Sequence, residues 1–304
     1  MKKVALFLAL VLLLIGCAGN QTAGERVTAM GTQMEWAVSG KDAEAAVAAI
    51  KTLVEEMEAE WSPMNINSIP SQLNDSGAVL NMDHIRFLDE LTAIGQRTHG
   101  AYSPQIHALL ALWGFVDGKH QVPSQEQVRD ALLEEQWNVA SVMKGYTARK
   151  AVTLLETMQV DRAILYLGST VQTFGSDQAW EIAIPNPAGG EALGQVAVNG
   201  AWAISTAGGY QRGFENNGKW YHHLLDPRTG MPAESDLAAV TVICKDAVLA
   251  DAMAAALFVM GMEEAISLWQ GSEDFEAVFI LADGSIRVTA GVEFSGAEVT
   301  RIEK

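Results

Sequence analysis

The sequence predicts an α+β fold, in which helices and strands are mixed without a regular strand–helix–strand repeat. Three observations support this class. Helical apolar spacing dominates the first half of the chain, strand-like apolar runs dominate the second half, and the glycine patterns of Rossmann and P-loop nucleotide-binding folds are absent from the sequence.

The predicted helices combine apolar residues at helical spacing with good helix formers. Ser124 and Gln127 form a capping box, Asp246 is an N-cap, and Gly261 ends the helix that follows Asp246. A segment rich in Ser, Asn and Pro, residues 61–82, is predicted to be a long loop. The helices are expected at residues 41–60, 83–97, 124–135, 144–158 and 246–261.

The predicted strands are short runs rich in β-branched and aromatic residues. The first, residues 27–38, contains Met30-Gly31-Thr32 inside it. The last two lie in AVFILADGSIRVTA (277–290) on either side of Asp283-Gly284, which is a hairpin turn signal. Further strands are expected at 162–167, 179–184, 195–205 and 238–244.

The N-terminus has the features of an export signal. Lys2 and Lys3 precede an apolar run that is too short for a comfortable membrane span, and Leu-Ile-Gly-Cys closes it in a pattern that resembles a bacterial lipobox. We therefore expect a signal peptide at 1–16, lipidation of Cys17, a tether at 17–26 and a domain at 27–304. An ordinary signal peptide and a short membrane anchor are the alternatives. The protein would then be a lipoprotein of the cell envelope that faces the periplasm or the cell exterior.

The charge balance excludes some partners. The formal net charge is −17, and it becomes −19 once Lys2 and Lys3 leave with the signal peptide. Such an acidic surface argues against nucleic acid and against adhesion to anionic lipid. Cys244 lies in an apolar strand-like run and is expected to be a core residue, and CxxC or zinc-ligand spacing is absent from the sequence.

Residue spacing alone leaves several candidate sites open. Asp251 is the only charge between Ala247 and Met262, so it either binds a cation or lies exposed near the helix start. Lys144-Gly145, at a predicted helix start, could bind an anion or be simply solvated. The spacing of Trp113 and Phe115 is more typical of core residues than of an aromatic wall that stacks on a flat ring of a ligand.

The histidine pair and the serines give weaker signals. His222 and His223 would point to opposite faces of a strand, and a buried neutral histidine bonded to a turn carbonyl is the commoner case. Ser62 and Ser205-Thr206 show no spacing typical of a Ser-His-Asp triad.

A series of short motifs gives the sequence a family resemblance. Their order and spacing resemble the ApbE-type FAD:protein FMN transferases, and H-x-x-D-P-x-T-G is the most diagnostic of them. The motifs are AMGT (29–32), NSIPSQLN (67–74), YSP and LWGF (102–115), MKGY (143–146), LGST (167–170), STAGGY (205–210), YHHLLDPRTG (221–230) and ADAMAAALFVMG (250–261).

The resemblance implies an ApbE-like fold of two intertwined subdomains with FAD in the cleft between them. It implies Mg²⁺ beside the pyrophosphate and transfer of FMN to a threonine of an acceptor flavoprotein subunit, with release of AMP. By matching positions, it implies catalytic roles for Asp251 and His223, with His223 shaping the cleft near the flavin. The implied FAD-binding residues are Met30, Ala101, Tyr102, Ser103, Asn138, Lys144, Thr206 and His223, and the metal positions are Ser141, Asp251 and Ala255.

The chain departs from the family pattern near the expected metal. Ala255 replaces a threonine whose side chain meets Mg²⁺, and Asn138 and Ser103 replace aspartates. Gly168-Ser169-Thr170 stands for Gly-Gly-Asp, and Thr206-Ala207-Gly208-Gly209 for Thr-Ser-Gly-Asp. Two further hypotheses follow, a flavin-binding lipoprotein that has lost transfer and an FAD pyrophosphatase.

Overall fold

A nine-stranded sheet forms the centre of the protein, whose computed structural model describes residues 21–75, 77–175 and 178–304. The order of its strands is β1-β2-β3-β4-β7-β10-β11-β12-β14, and the pairs are antiparallel except β12 with β14. The strands of this sheet are β1 (Thr22–Ala29), β2 (Thr32–Gly40), β3 (Val160–Leu167), β4 (Thr170–Phe174), β7 (Ala203–Gly208), β10 (Leu237–Cys244), β11 (Phe275–Leu281), β12 (Ile286–Thr289) and β14 (Thr300–Ile302).

Two smaller sheets accompany it. A three-stranded sheet has the order β13-β6-β5, and a two-stranded ribbon pairs β8 with β9. Their strands are β5 (Trp180–Ile184), β6 (Gly194–Val198), β8 (Gly213–Asn216), β9 (Lys219–His222) and β13 (Phe294–Gly296).

Seven helices are described, and they confirm the predicted α+β class. The predicted capping box of Ser124 and Gln127 is present, and the Asp246 side chain accepts a hydrogen bond from the Leu249 backbone N–H. The helices are α1 (Ala43–Trp61), α2 (Ile69–Asp75), α3 (Met82–Arg97), α4 (His107–Leu112), α5 (Gln125–Ala131), α6 (Met143–Glu156) and α7 (Ala247–Gln270).

The large sheet is buried on both faces, because alternate residues of its strands enter different cores. In β2, Trp36 and Val38 pack with α1, α6 and α7, whereas Ala37 joins a second core with the three-stranded sheet. Strand residues buried on both faces read as continuous apolar runs, which explains the strand-like composition of the second half of the sequence. Cys244 is a buried free thiol in the first core, as predicted, and burial raises its pKa to about 12.

A third, smaller core lies apart from the two cores of the large sheet, and we call the part of the protein built around it the second lobe. Trp113 and Phe115 pack there with Leu109, Val128 and Leu225, which confirms the core interpretation of the LWGF segment. The lobe is made from two separate stretches of chain, one around α4 and α5 and one from the β8–β9 ribbon to the turn after it. The chain therefore enters and leaves this lobe twice.

The prediction of one strand over 27–38 is wrong. Met30 and Gly31 both have positive φ, 50° and 70°, and they form the two-residue turn between β1 and β2. Two successive positive φ angles are the geometry of the tight hairpin turns that match strand twist. The run 195–205 is likewise two strands, β6 and β7, which lie in different sheets on either side of a turn that contains Gly200.

Four boundaries also differ from the predictions. The loop 61–82 contains α2, and the helix expected to reach residue 135 ends at Ala131. Helical structure continues past Gly261 to Gln270, but the backbone breaks at Gly261, where the Met262 N–H donates to Asp236. Residues 22–26, assigned to the tether, belong to β1 because they pair with residues 35–39 of β2.

The predicted signal peptide and Cys17 lie outside the described residues. Within the described part of the chain, no helix has the length and apolar character needed to cross a membrane.

Candidate functional site

Asp251 is the centre of the candidate site. It lies on α7, five residues after the Asp246 cap, and it is only 4% exposed. Its Oδ1 accepts hydrogen bonds from the Ser205 hydroxyl at 2.5 Å and from the Thr170 hydroxyl, and its Oδ2 accepts from the Gly145 N–H at 2.6 Å. Burial raises the pKa of Asp251, and the charge of Lys144 opposes that rise.

Gly145 brings α6 against α7. A Cβ at this position would lie 2.1 Å from the Ala247 carbonyl oxygen and 3.0 Å from Asp251 Oδ2. The first turn of α6 can therefore approach α7 only with glycine here. The Gly145 N–H lies in the first turn of α6, where backbone N–H groups have no acceptor within the helix and favour a negatively charged partner.

Lys144 precedes this glycine in the first turn of α6, at the predicted helix start, and residues 140–142 form a turn before it. Burial lowers the pKa of Lys144, the Asp251 carboxylate raises it, and the positive charge of Arg212 lowers it again. Lys144 therefore lies within electrostatic reach of both Asp251 and Arg212, and the Arg212 guanidinium donates to the Phe115 carbonyl at 3.2 Å. Lysine and arginine are the side chains that bind phosphate groups.

His223 joins the same neighbourhood. Its Nδ1 lies 3.1 Å from the Arg212 carbonyl oxygen, so Nδ1 carries the proton and Nε2 is left as an acceptor. Burial lowers the pKa of His223 to about 4, and the charges of Arg212 and Lys144 act in the same direction. The ring is neutral at pH 7, and it can shape a cleft or accept a hydrogen bond there.

The Asp-Pro-Arg-Thr-Gly turn fixes the end of this segment. The Asp226 carbonyl accepts from the Gly230 N–H at 2.8 Å, and the Asp226 carboxylate pairs with Arg228. The Gly230 carbonyl accepts from the Trp113 indole at 2.9 Å, and a Cβ at Gly230 would lie 2.6 Å from Val128. The turn thus ties the histidines to the core of the second lobe.

Asn138, a further predicted residue, lies in the segment between α5 and α6. The Asn138 N–H donates to the Pro104 carbonyl at 2.7 Å, and the Asn138 side chain lies 3.3 Å from His107. The Asn138 amide also accepts from the Ala140 N–H, so it fixes the turn that leads to Lys144. Asn138 is buried, and its side-chain oxygen serves this turn while its side-chain nitrogen contacts His107.

Ala101 and Tyr102 are buried, whereas Ser103 is partly exposed and Ser141 is exposed. Burial raises the pKa of Tyr102, the Ser141 side chain lowers it, and Asp251 raises it further. The Tyr102 hydroxyl is buried and has no hydrogen-bond partner among the described residues.

Met30 lies at the same end of the large sheet. Its N–H donates to Glu58 at 2.7 Å, and Thr32, two residues on, packs against Gly168 in the turn before Thr170. This places the β1–β2 turn beside the strand that supplies the Thr170 hydroxyl.

The Thr206 side chain is not brought to Asp251. Side chains alternate along a strand, and Ser205 faces Asp251, so Thr206 points to the other face and bonds to Thr241 at 2.8 Å. Only the Thr206 backbone takes part at this end of the sheet, where its N–H donates to the Ser169 carbonyl at 3.0 Å.

The donor set around Asp251 fits a magnesium ion that also uses ligand oxygens. Within residues 21–75, 77–175 and 178–304, no group of three or more His, Cys, Asp or Glu could hold a metal. Mg²⁺ is nonetheless often held by one or two carboxylates together with substrate phosphates and water. Asp251 Oδ2 accepts one described hydrogen bond and so keeps a lone pair for a cation. Ala255 is partly exposed within an otherwise buried stretch of α7, but it offers no side-chain oxygen.

Three groups of this site were not among the predicted site residues. They are the Thr170 and Ser205 hydroxyls and the Arg212 side chain. A serine inside the wholly buried strand AISTAG was the one usable signal, because a buried hydroxyl requires a partner.

Sequence comparison identifies the family. A sequence model of the ApbE family matches residues 30–279, most of the chain. The chain belongs to the ApbE family. The match begins at the β1–β2 turn and includes both lobes and Asp251.

Curated relatives of this ApbE protein carry a common name. The FAD:protein FMN transferase of Treponema pallidum is 26% identical, over 82% of this chain and 80% of the relative. The FAD:protein FMN transferase of Escherichia coli K12 is 28% identical, over 86% of this chain and 88% of the relative.

Solved structures agree with the fold. The ApbE protein of Thermotoga maritima has a TM-score of 0.80 at 25% identity and covers 88% of this chain and 96% of its own. The flavinyl transferase ApbE of Pseudomonas stutzeri has a TM-score of 0.75 at 23% identity and covers 92% of this chain and 95% of its own.

Proposed function

We propose that this protein transfers FMN from FAD to a threonine hydroxyl of an acceptor flavoprotein subunit, in an Mg²⁺-dependent reaction that releases AMP. The threonine oxygen forms a bond to the phosphorus of the FMN half, the bond from that phosphorus to the AMP oxygen breaks, and the threonine proton is lost. One observation carries the proposal, the buried Asp251 carboxylate beside Lys144 at the start of α6. The names of the curated relatives support the same reaction.

Different groups of the protein are proposed to bind different parts of FAD, beginning with its diphosphate. Lys144 and Arg212 supply positive charge on one side of the cleft, and the start of α6 supplies backbone donors. Met30, Ala101, Tyr102, Ser103, Asn138 and Thr206 are proposed to line the rest of the FAD site, Thr206 through its backbone. His223, neutral at pH 7, shapes the flavin end of the cleft and presents Nε2 as an acceptor.

Asp251 is the residue proposed to hold Mg²⁺, with oxygens from Ser141 and the FAD phosphates completing the shell. The ion, when bound, supplies neutralisation of the charge that develops on the phosphate oxygens. The Ser205 and Thr170 hydroxyls and the Gly145 N–H fix the orientation of the Asp251 carboxylate before FAD arrives.

We propose that the enzyme acts in the cell envelope, anchored to a membrane by lipid on Cys17 after removal of residues 1–16. The lipobox-like ending of the apolar run supports this placement. The acceptor would then be an exported or membrane-bound flavoprotein subunit.

A flavin carrier without transferase activity is the second candidate. Ala255 favours it, because the position one turn after Asp251 faces partly outward and has no oxygen to offer a metal. The two candidates differ in chemistry and share the FAD site.

The deciding experiment measures AMP release from FAD by the full-length protein in detergent, with and without Mg²⁺. The assay includes an acceptor flavoprotein subunit with a target threonine, and a mass shift scores the FMN adduct. Mg²⁺-dependent AMP together with the adduct supports the transferase. AMP without an adduct indicates an FAD pyrophosphatase, and tight FAD binding without either product indicates the carrier.

A further inference from the structure

A groove of about 820 Å³ is lined by residues that lie close in the chain to those of the proposed active site. Its lining includes the aromatic residues Tyr210, Trp220 and Phe258 and the aliphatic residues Leu237 and Ile280. His222 reaches into it, and the next residue in the chain is His223 of the proposed site. The groove therefore shares the His222-His223 segment with the proposed site.

The groove is electrically neutral in a strongly acidic protein. None of its described lining residues is Asp, Glu, Lys or Arg, although the chain has a formal net charge of −17. The other large groove, of about 840 Å³, is lined by Arg97, Arg228 and acidic residues in ion pairs. A neutral groove favours an uncharged occupant, because burying an unpaired ion is costly.

Two glycines set the walls of the groove. A Cβ at Gly208 would lie 2.5 Å from the Tyr210 ring, and a Cβ at Gly209 would lie 2.9 Å from His222 and 3.3 Å from Phe258. The Trp220 indole donates to the Gly209 carbonyl at 2.8 Å. The aromatic side chains are thus held in place without a ligand, and a preorganised surface loses less entropy when it binds.

These held aromatic side chains remain open to solvent. Trp220 is 48% exposed and Tyr210 is 38% exposed. Exposed aromatic residues fixed around a concave surface are typical of the residues that dominate protein interfaces.

The groove lies at a distance from Asp251 that a peptide can span. Phe258 follows Asp251 by seven residues on α7, which is about 10 Å along the helix. An extended chain covers about 3.3 Å per residue, so the groove would receive a side chain about three residues from the modified threonine.

We propose that this groove binds an uncharged, apolar segment of the acceptor polypeptide, about three residues from the threonine that receives FMN. The inference rests on the proposed transferase function. Its occupant is polypeptide rather than flavin because the groove is separate from the cations that would bind the diphosphate and opens at solvent-exposed aromatic edges.

The test uses the full-length protein in detergent, loaded with FAD, and two dodecapeptides. Both have one central threonine among Ser, Gly and Ala. The first has leucine three residues from the threonine on each side, and the second has aspartate at those two positions. Calorimetry measures peptide binding, mass shift measures FMN transfer, and flavin fluorescence measures FAD affinity.

The wild-type protein is expected to bind the leucine peptide at least about tenfold more tightly than the aspartate peptide. Trp220→Glu should weaken binding of the leucine peptide at least about tenfold and change FAD affinity less than about twofold. Tyr210→Glu is the second groove variant, and the thermal midpoint of each checks folding. Leu133→Glu, at an 80% exposed residue after α5, is the matched control and should change neither affinity.

Each result decides between the two proposals. Loss of FAD affinity in Trp220→Glu would show that flavin occupies the groove and would overturn the inference, as would equal binding of both peptides or no binding of either. Binding of the leucine peptide through Trp220 without FMN transfer would keep the groove and refute the transferase. FMN transfer that is unchanged in both Trp220→Glu and Tyr210→Glu would support the transferase and refute the groove as a peptide-binding site.

Discussion

The backbone N–H of Gly145 donates to Asp251 Oδ2 at 2.6 Å, across the contact between the two helices that carry the proposed site. The glycine is required by space as well as by the hydrogen bond, since a Cβ there would lie 2.1 Å from the Ala247 carbonyl oxygen. Helix packing and carboxylate orientation therefore depend on one residue.

Gly145→Ala should separate α6 from α7. We expect a loss of about 1–3 kcal/mol in the free energy of unfolding, typical of overpacking, together with loss of AMP release. Urea unfolding followed by circular dichroism measures the first effect. Gly271→Ala is the matched control, because a Cβ there makes only ordinary contacts, at 3.7 Å or more. Equal stability of both variants would contradict the helix contact described here.

Asp251→Asn should remove the charge while keeping the side-chain shape. The amide oxygen can still accept from the Ser205 and Thr170 hydroxyls, but an NH₂ group would face the Gly145 N–H. We expect Mg²⁺-dependent AMP release to fall by at least about 100-fold. Asp246→Asn, which keeps a capping side chain on the same helix, should retain activity within about twofold. Unchanged turnover in Asp251→Asn would refute its metal-binding role.

Ala255→Thr should add an oxygen where α7 is partly exposed, one turn after Asp251. We expect the Mg²⁺ concentration for half-maximal AMP release to fall. Ala255→Val is the control, because valine has the shape of threonine without the hydroxyl. An equal effect of both changes would show that size, and not an oxygen ligand, is responsible.

His223 should titrate with a pKa of about 4, because burial and the charges of Arg212 and Lys144 disfavour its protonated form. An unfolded histidine has a pKa of about 6.5, so between those values the unfolded chain binds more protons than the native one. The contribution of His223 to stability is therefore complete above pH 6.5 and is lost as the pH falls towards 4. Imidazole NMR shifts measure the titration, and His223→Gln should show a weaker loss of stability between pH 7 and pH 5. Titration near 6.5 would contradict the burial.

Local sequence signals predicted the elements whose cause is local. The capping box of Ser124 and Gln127, the Asp246 cap and the hairpin around Asp283-Gly284 are all present. The β1–β2 turn was missed because Met30, which has a φ of 50°, is not a residue type that signals a turn. Propensity could not reveal a turn that the pairing of two long strands imposes.

The candidate site was predicted in part, through residue patterns. Asp251 and Lys144 were indicated by a lone charge in an apolar helix and by a lysine-glycine pair at a helix start. The Thr170 and Ser205 partners were not, because they depend on which strands lie under α7. Thr206 shows the same limit, since strand alternation turns its side chain away from Asp251.

The hydrogen bonds of Asp251 also order the events of folding. Its three donors lie 106, 81 and 46 residues earlier in the chain, at Gly145, Thr170 and Ser205. Contacts of such long sequence separation form only after the cost of closing large loops has been met. Until all three segments have docked, the carboxylate has a lower free energy in water than in the protein interior. Its burial is therefore expected late in folding. A chain that has buried this carboxylate has therefore already docked α6, β4 and β7 against α7.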